Sequence, residues 1–394
     1  MFVLARKSVT QRFKPSDEIL SMMHDFKAMT NICIQIGLEH DASTLKRLSL
    51  LSYHELKCFH VPSYYKLCAI SKAAGILASR KKSIRRGYQS KNPYLKNPML
   101  TSCYGFKIAN GKLLIPVRNK QFVENQLNPH TLRILSEPTL RVNSFTLTER
   151  SLSLSVSKEV EEMKELASTV GVDRNLNNLT VGNEQQVTYY DMSKVVEIAE
   201  NTRSIMRSFK RNDVRIRRKL SAKYGLRRTN RRTQIMHAIS KQVVQSALKN
   251  RQGIVFEDIR EIRNLYRKGN GQGKRNRGRM NSWPYAEIKR QIEYKANWVG
   301  VPIIHLTKSE TRGTSQLCPK CGERLQSGKE LKRKLWCQQC RTVFDRDYVA
   351  VVNIARRGLL RFDRSKGEAS EAMVSVFNPS VDASKLTSRH PPTS

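Results

Sequence analysis

The amino-acid sequence predicts an α/β protein with several domains, and three observations lead to this prediction. The chain has 394 residues, a length that suggests two or three domains of about 150 residues each. Hydrophobic residues make up 39% of it, which is enough to form packed cores. Segments with the alternation of strands and segments with helical periodicity follow one another along the chain.

Residues 1–165 predict a small β-barrel that is interrupted by a helical insert at about 16–95. The chain starts with a strand, "FVLARKSVTQRFKP", and apolar residues at three- and four-residue spacing then predict three helices. Two short apolar strands flank Asn110-Gly111, a dipeptide typical of hairpin turns. The segment "SFTLTERSLSLSVS" alternates apolar and polar residues like a half-buried strand. Because no cluster of catalytic residue types occurs here, we expect this part to bind rather than catalyse.

Residues 166–316 and 341–365 predict a second α/β domain. Three short strands, "STVGVDRN", "NLTVGN" and "QVTYYDM", come first, and helices then alternate with the strands "GIVFEDI" and "VPIIHL". This order is that of a ribonuclease H-like fold. Between the strands "GIVFEDI" and "VPIIHL", the segment "RNLYRKGNGQGKRNRGRM" predicts a glycine-rich basic loop. The tail at 366–394 lacks periodicity, so we expect it to be disordered.

The charge of the chain indicates a polyanionic partner. There are 72 Lys and Arg residues against 33 Asp and Glu, a formal net charge of +39. Since the basic residues are spread over the whole chain, a nucleic acid fits better than one patch of lipid. No apolar run of about 18 residues occurs, so we expect no membrane span, and the N-terminal segment predicts no signal peptide.

Clusters of basic residues identify the expected phosphate contacts. One cluster ends the third helix, one lies in the segment 203–251, which has sixteen Lys and Arg residues and one acid, and one lies in the basic loop. The candidates are Arg80, Lys81, Lys82, Arg85, Arg86, Arg217, Arg218, Arg227, Arg228, Arg231, Arg232, Lys274, Arg275 and Arg277.

Three acidic residues occupy positions that suit a metal-dependent nuclease. Asp173 closes the first strand of the second domain, Glu257 closes a later strand, and Asp347 opens the final helix. Such carboxylates hold one or two Mg²⁺ or Mn²⁺ ions, which activate water and stabilise the leaving oxygen in phosphodiester cleavage. The alternative for Asp173 is a turn or a surface ion pair with Arg174.

Glu257 and Asp347 each have a second acid close by in the sequence. In both pairs, the local pattern indicates which of the two acids faces the cleft. Glu257 shares a strand face with Val255, so we assign it to the cleft and Asp258 to a structural role. Asp347 shares a helical face with Val351, whereas Asp345 suits the helix N-cap.

Four cysteines in segment 317–340 predict a zinc ribbon. Cys318, Cys321, Cys337 and Cys340 follow the pattern C-x₂-C-x₁₅-C-x₂-C, which is typical of a structural Zn²⁺ held by four thiolates. A redox-active dithiol pair is the alternative. The other four cysteines, Cys33, Cys58, Cys68 and Cys103, are expected to be small buried hydrophobic residues.

Five motifs in register resemble TnpB, the transposon-encoded, RNA-guided nucleases related to type V CRISPR effectors. They are "GVDRN", "FEDI", "TSQLCPKCG", the second cysteine pair and "DRDYVAVVNIA", in that order. The resemblance is strong over 167–358, and the first 165 residues match in layout, as a wedge barrel with a helical recognition insert.

The resemblance implies a RuvC-like nuclease domain whose acidic triad is Asp173, Glu257 and Asp347, with the zinc ribbon inserted before the last helix. It also implies a guide RNA from the transposon end, a double-stranded DNA target with a short flanking motif, and a cytoplasmic, nucleoid-associated location in a prokaryote. The family usually has Asn two residues after the third acid, where this chain has Val349.

The sequence thus predicts an RNA-guided, Mg²⁺-dependent DNA endonuclease in which guide pairing reads most of the target. Two other functions stay open: a transposase that acts directly on transposon ends, and a nuclease-inactive guided repressor. We also expect the basic part of the ribbon to guide a strand past Asp347. Its residues are Lys329, Lys332, Arg333 and Lys334.

Overall fold

A computed structural model describes residues 2–118, 121–209, 213–259, 262–267, 269–328 and 330–365. The predicted tail at 366–394 lies outside the described residues. The chain divides into two compact units. One is Leu4–Glu159, and the other consists of Met1–Val3 together with the chain from Val160 onward.

The first unit combines two antiparallel sheets with a helical segment. Its four-stranded sheet has the order β1-β7-β6-β2, and its three-stranded sheet has the order β3-β4-β5. The elements are β1 (Phe2–Arg12), α1 (Asp17–Glu39), α2 (Leu45–Ser52), α3 (Ser63–Arg85), β2 (Met99–Ser102), β3 (Lys107–Ala109), β4 (Lys112–Pro116), β5 (Phe122–Gln126), α4 (Pro129–Leu135), β6 (Arg141–Thr148) and β7 (Ser151–Glu161).

The predicted hairpin is confirmed. Ala109 pairs with Lys112, and the two residues between them have positive φ, 51° at Asn110 and 72° at Gly111. Both angles are those of a two-residue hairpin turn. The helices α1 to α3 lie between β1 and β2 in the chain, as the periodicity predicts. Closure of the two sheets into a barrel stays a prediction.

The second unit is built on a mixed five-stranded sheet with helices on both faces. Its elements are β8 (Ser168–Arg174), β9 (Asn178–Gly182), β10 (Val187–Asp191), α5 (Ser193–Ser208), α6 (Val214–Lys249), β11 (Gln252–Phe256), a 3₁₀ helix (Ile262–Tyr266), α7 (Lys274–Ser282), α8 (Tyr285–Val299), β12 (Ile303–His305), α9 (Lys308–Thr311), β13 (Lys334–Cys337), β14 (Thr342–Asp345) and α10 (Arg346–Ser365).

The sheet has the strand order β10-β9-β8-β11-β12. Within this sheet, β8 pairs antiparallel with β9, and β9 pairs antiparallel with β10. Strand β11 is parallel to both β8 and β12. Since side chains alternate between the faces of a strand, the sheet presents one set of residues to α6 and α8 and the other set to α10. Val172 and Phe256 belong to the first core, and Val255 packs with Ile354 of α10.

Two glycines let α10 lie very close to the sheet. A methyl group at Gly171 would stand 2.2 Å from the carbonyl oxygen of Val351, and one at Gly358 would stand 2.2 Å from Cγ2 of Val255. Neither distance is sterically possible. The position of α10 against β8 and β11 therefore depends on the absence of a side chain at both sites.

The prediction of a basic loop at 263–280 is wrong in part, because α7 occupies residues 274–282. Tertiary contacts support this short helix. Arg203 of α5 donates hydrogen bonds to the carbonyl oxygen of Gly278 and to Oγ of Ser282, and Arg232 of α6 donates to the carbonyl oxygen of Ser282. These contacts outweigh the low helix propensity of the local sequence.

Candidate active site and zinc ribbon

The three predicted acids line one cleft of about 420 Å³ in the second unit. Asp173 lies near the end of β8, Glu257 follows β11 directly, and Asp347 lies in the first turn of α10. By alternation, Asp173 shares a strand face with Gly171, and Glu257 shares one with Val255. Both acids thus lie on the face that α10 covers, and this brings them together with Asp347.

Two asparagines hold the carboxylates in place. Nδ2 of Asn175 donates to Oδ2 of Asp173 at 2.8 Å and to Oδ1 of Asp347 at 3.3 Å. Nδ2 of Asn178 donates to Oδ2 of Asp347 at 3.0 Å. This role of the two asparagines is not among the sequence-based predictions. The available signal was three asparagines within four residues directly after the Asp173 strand.

Arg174 is a buried residue that contacts the backbone next to the cleft. Its side chain is only 4% exposed, and it donates to the carbonyl oxygens of Glu257 at 2.9 Å and Tyr285 at 3.3 Å. Its guanidinium carbon lies 5.5 Å from the ring centroid of Phe256. Arg174 therefore ties the ends of β8 and β11 together, and it does not belong to a surface turn.

Burial raises the pKa of two of the acids. It raises the pKa of Asp173 to about 6, with the charge of Asp347 adding to the effect and the hydrogen bond from Asn175 opposing it. Burial, followed by the charge of Asp173, raises the pKa of Glu257 to about 7. The carboxylates thus lack enough compensating positive charge when both are ionised. Such oxygen donors fit Mg²⁺ or Mn²⁺.

Arg333 of the ribbon reaches into the same cleft and forms an ion pair with Asp347. The backbone N–H of Arg346 also donates to the carbonyl oxygen of Arg333 at 3.0 Å, which ties the ribbon to the start of α10. The sequence predicted a strand-guiding role for Arg333 and its neighbours. Of these, Lys329 lies outside the described residues, and Lys332 and Lys334 are exposed.

The predicted N-cap of the last helix is confirmed. Oδ1 of Asp345 accepts hydrogen bonds from the backbone N–H groups of Asp347 at 2.8 Å and of Tyr348 at 3.2 Å. Asp345 is thereby occupied by the helix end, and Asp347 is the acid that faces the cleft.

The four ribbon cysteines form a group that can hold a metal ion. Their sulfur atoms all lie within 4.8 Å of one another, with 3.8 Å between Cys318 and Cys340 and 3.5 Å between Cys321 and Cys337. Four thiolates at such spacing fit a tetrahedral Zn²⁺ site. Within the described residues, no other group of three or more potential metal ligands is this compact.

The ribbon and the last helix share one small core. Leu335 of β13, Phe344 of β14 and Val349 of α10 are buried together beside Cys318 and Cys337. Val349 is fully buried there. The ribbon fold therefore supports the helix turn that carries Asp347.

The remaining cysteines only partly match the expectation. Cys33 and Cys68 are buried, as predicted, but Cys58 and Cys103 are exposed. Cys58 follows α2 in an irregular turn and Cys103 follows β2. Both residues lie outside the helices and strands, so helix or strand periodicity does not predict their exposure.

The predicted phosphate contacts differ in their exposure. At the end of α3, Lys82, Arg85 and Arg86 are exposed, whereas Arg80 donates to Asn92 at 3.0 Å and Lys81 pairs with Asp41 at 2.8 Å. Arg80 and Lys81 thus already have partners within the protein, so the first group is the more available to a ligand.

The same distinction holds in the second unit. On α6, four of the predicted residues are exposed, while Arg228 and Arg232 are half-buried. Burial lowers the pKa of Arg232, which bonds to Ser282 as described above. On α7, Lys274 and Arg275 are exposed and Arg277 is half-buried. The exposed α6 residues are Arg217, Arg218, Arg227 and Arg231.

None of the described helices combines the length and the apolar character that a membrane crossing requires.

Comparisons with known proteins connect this chain to one group. Residues 285–354, which include the four ribbon cysteines and Asp347, match the family model described as Cas12f1-like, TNB domain. A TnpB-like protein of Methanocaldococcus jannaschii is 32% identical over 216 residues, which is 51% of this chain and 72% of that protein. A second TnpB-like protein of the same organism is 24% identical over 315 residues, or 77% of this chain and 71% of that protein.

Weaker or shorter similarities extend to CRISPR effectors. The CRISPR-associated endodeoxyribonuclease Cas12f1 of Sulfoacidibacillus thermotolerans is 31% identical over 121 residues, which is 30% of this chain and 25% of that protein. Among solved structures, a CRISPR-Cas12f ternary complex matches with a TM-score of 0.39 and 15% identity, covering 86% of this chain and 82% of that one. The mini-RNA-guided endonuclease CRISPR-Cas phi3 matches with a TM-score of 0.41 and 11% identity, covering 91% and 92%.

Proposed function

This chain belongs to the TnpB-like family, relatives of the type V CRISPR effectors, and from this premise we propose that it is an RNA-guided DNA endonuclease encoded by a transposon. One relative is named a CRISPR-associated endodeoxyribonuclease, which supports phosphodiester hydrolysis as the reaction. The guide would come from the transposon end, and the target would be double-stranded DNA beside a short flanking motif.

One observation carries the proposal. Asp173, Glu257 and Asp347 come from three separate elements and line a single cleft. The strand order β10-β9-β8-β11-β12, with the first three strands antiparallel, supports a RuvC-like, ribonuclease H-like domain. Buried acids that repel one another are costly to fold, and a protein keeps them where a site needs them.

The three acids would hold Mg²⁺ or Mn²⁺, which supplies water activation and stabilisation of the leaving oxygen when bound. The amide groups of Asn175 and Asn178 fix the orientation of the carboxylates of Asp173 and Asp347. Arg174 holds the two strand ends together. The cleft thus presents oxygen donors that are oriented before any ligand arrives.

The ribbon would contribute through Zn²⁺ held by its four cysteines. Its fold places Arg333 against Asp347 and buries Val349 at the start of α10. We propose that zinc acts by holding this helix turn and the basic side chains of the ribbon in place, and takes no part in the cleavage step.

The experiment expresses the protein together with the DNA that flanks its gene and sequences the RNA that copurifies with it. A discrete RNA that ends in transposon-flanking sequence supports the proposal. The purified complex is then tested for Mg²⁺-dependent cleavage of a plasmid that matches this RNA, with Asp173→Ala and Glu257→Gln as variants expected to abolish cleavage without loss of RNA binding.

The two alternatives predict other results. Strand joining at transposon ends in the absence of RNA would indicate a transposase. Guided binding of the plasmid by the wild-type complex, with no cleavage at any Mg²⁺ or Mn²⁺ concentration, would indicate a nuclease-inactive repressor. Either result would overturn the proposed function.

A further inference from the structure

The first part of α6 carries a row of cations that the described protein does not neutralise. Five basic side chains recur at every fourth residue, and all five are exposed. No ion pair joins any of them to a carboxylate among the residues that the structure describes. We call this row the cation ladder: Arg215, Lys219, Lys223, Arg227 and Arg231.

The last three residues of the ladder lie on the side of α6 opposite its buried face. The buried residues of α6 start only at Met236 and continue to Ala247. With a rotation of about 100° per residue, Lys223, Arg227 and Arg231 lie about 130–170° around the helix from the centre of that buried face. Packing of the buried face therefore leaves these three side chains on the opposite side of the helix.

The ladder is unfavourable for the isolated helix. Like charges four residues apart repel one another on a helix surface, and the ladder contains four such pairs in succession. Residues 214–235 have half-buried but no fully buried side chains, so tertiary packing offsets less of the repulsion here than in the buried part of α6, because packing is the main source of helix stability in proteins. A bound polyanion would remove the repulsion.

The geometry of the ladder suits a nucleic-acid backbone. Each step rises about 6 Å along the helix, so the five cations cover about 24 Å. A nucleic-acid strand offers a phosphate for every ~3.4 Å of rise, so several phosphates lie alongside this length. Long basic side chains that contact phosphates set position and do not read the base sequence.

We propose that the cation ladder binds the backbone of RNA and that this binding stabilises the first part of α6, residues 214–235. The choice of RNA rests on the proposed function, in which RNA is the resident ligand and DNA is a transient one. Because the repulsion acts whenever the chain is folded, the resident polyanion is the one that relieves it.

The test compares two variants of the full chain with equal charge. The ladder variant carries Lys223→Gln, Arg227→Gln and Arg231→Gln. The control variant carries Lys194→Gln, Lys249→Gln and Lys320→Gln, three exposed cations outside the ladder. Binding of fluorescent polyuridylic acid and of polythymidylic DNA is measured by anisotropy over a range of salt concentrations, and hydrogen exchange of residues 214–235 is measured with and without the RNA.

We expect the ladder variant to bind the RNA at least about tenfold more weakly at low salt, with a slope of log K against log salt that is smaller by about 2, since each lost phosphate contact removes ~0.7. The control variant should lose less RNA affinity than the ladder variant, and its salt slope should change less. In the wild-type protein, RNA should slow hydrogen exchange in 214–235, and the ladder variant should lose this protection.

Three results would overturn the inference. The ladder and control variants could show the same RNA affinity and salt slope, RNA could leave exchange in 214–235 unchanged, or the ladder substitutions could weaken DNA binding alone. These results are distinct from a failure of the proposed function, which concerns guided cleavage. No step of this test depends on cleavage.

Discussion

Arg333 of the zinc ribbon and Asp347 of the last helix, fourteen positions apart in the chain, form an ion pair in the carboxylate cleft. Asp347 is almost fully buried, and its side chain is 8% exposed against 63% for Arg333. An exposed cation thus pairs with a buried anion. Any divalent ion that binds Asp347 must share this carboxylate with Arg333 or displace it.

We therefore expect Arg333→Gln to bind Mn²⁺ or Mg²⁺ several-fold more tightly than the wild-type protein, because the competing cation is gone. The metal-free variant should unfold at a lower temperature, since the buried carboxylate loses its charge partner. Calorimetric titration and thermal unfolding measure the two effects. Lys334→Gln is the control, because it removes an exposed charge from the adjacent residue. Equal metal affinity in both variants would show that Arg333 does not compete.

The raised pKa values predict how the stability of the metal-free protein depends on pH. Asp173 and Glu257 have folded-state pKa values of about 6 and about 7, both above their values in an unfolded chain. The folded state therefore binds more protons between pH 4 and 7, and its stability falls as the pH rises through this range.

The measurement is chemical unfolding at several pH values in the presence of a chelator that leaves zinc bound. The variant with Asp173→Asn and Glu257→Gln cannot ionise at these positions, so it should lose this part of the pH dependence. A wild-type protein whose stability rises from pH 5 to 7 by as much as that of the variant would contradict the assignment.

Loss of the ribbon zinc should loosen the start of α10. Structural zinc contributes on the order of 10–16 kcal/mol of apparent binding free energy in small zinc domains, and the ribbon core is shared with Val349. We expect Cys337→Ser to lose bound zinc and to become sensitive to proteolysis between β13 and α10. Cys58→Ser, an exposed cysteine outside the ribbon, should change neither zinc content nor the proteolysis pattern.

Gly171→Ala should separate Asp347 from Asp173. The added methyl group would lie 2.2 Å from the carbonyl oxygen of Val351 and 2.9 Å from the backbone nitrogen of Ala355, so α10 must move away from β8. Overpacking of this kind costs about 1–3 kcal/mol, and a displacement of about 1 Å at a catalytic site can lower the rate about 100-fold. Guided cleavage and thermal unfolding measure both effects.

Gly225→Ala on α6 is the matched control, because nothing lies within 4 Å of the added methyl group. It should leave cleavage unchanged and stabilise its helix by up to about 1 kcal/mol. Normal cleavage by Gly171→Ala would show that the spacing of the acids does not depend on this close contact.

Val349→Asn restores the residue that the family usually has two positions after the third acid, and we expect it to destabilise this chain. Val349 is fully buried among apolar ribbon residues, and an amide without partners there costs about 1–3 kcal/mol. Val349→Ala separates loss of volume from added polarity. If the asparagine variant proved as stable as the wild-type protein and cleaved faster, the apolar core would not be the reason for valine.

The positions of the acids could be predicted from the sequence because each follows a simple local rule. Asp173 and Glu257 close apolar strands, and strand alternation separates Glu257 from Asp258. The capping preference of aspartate separates Asp345 from Asp347, as the hydrogen bonds of Asp345 show. The cysteine spacing alone gives the compact group of four sulfur atoms.

What the sequence could not give depends on contacts between distant residues. Helix α7 forms in a glycine-rich basic segment because Arg203 and Arg232 hold its backbone. The ion pair of Arg333 depends on the path of the ribbon over α10, and the bonds from Asn175 and Asn178 depend on where Asp347 arrives. No local periodicity contains this information.

The order of the three acids along the chain also determines when the cleft can exist during synthesis. Asp173 and Glu257 are translated well before Asp347, and the ribbon lies between Glu257 and the last helix. A nascent or prematurely terminated chain that ends before α10 carries at most two of the three carboxylates, and it lacks the helix that covers their side of the sheet. Assembly of the candidate nuclease site is thus the last step in the synthesis of this domain.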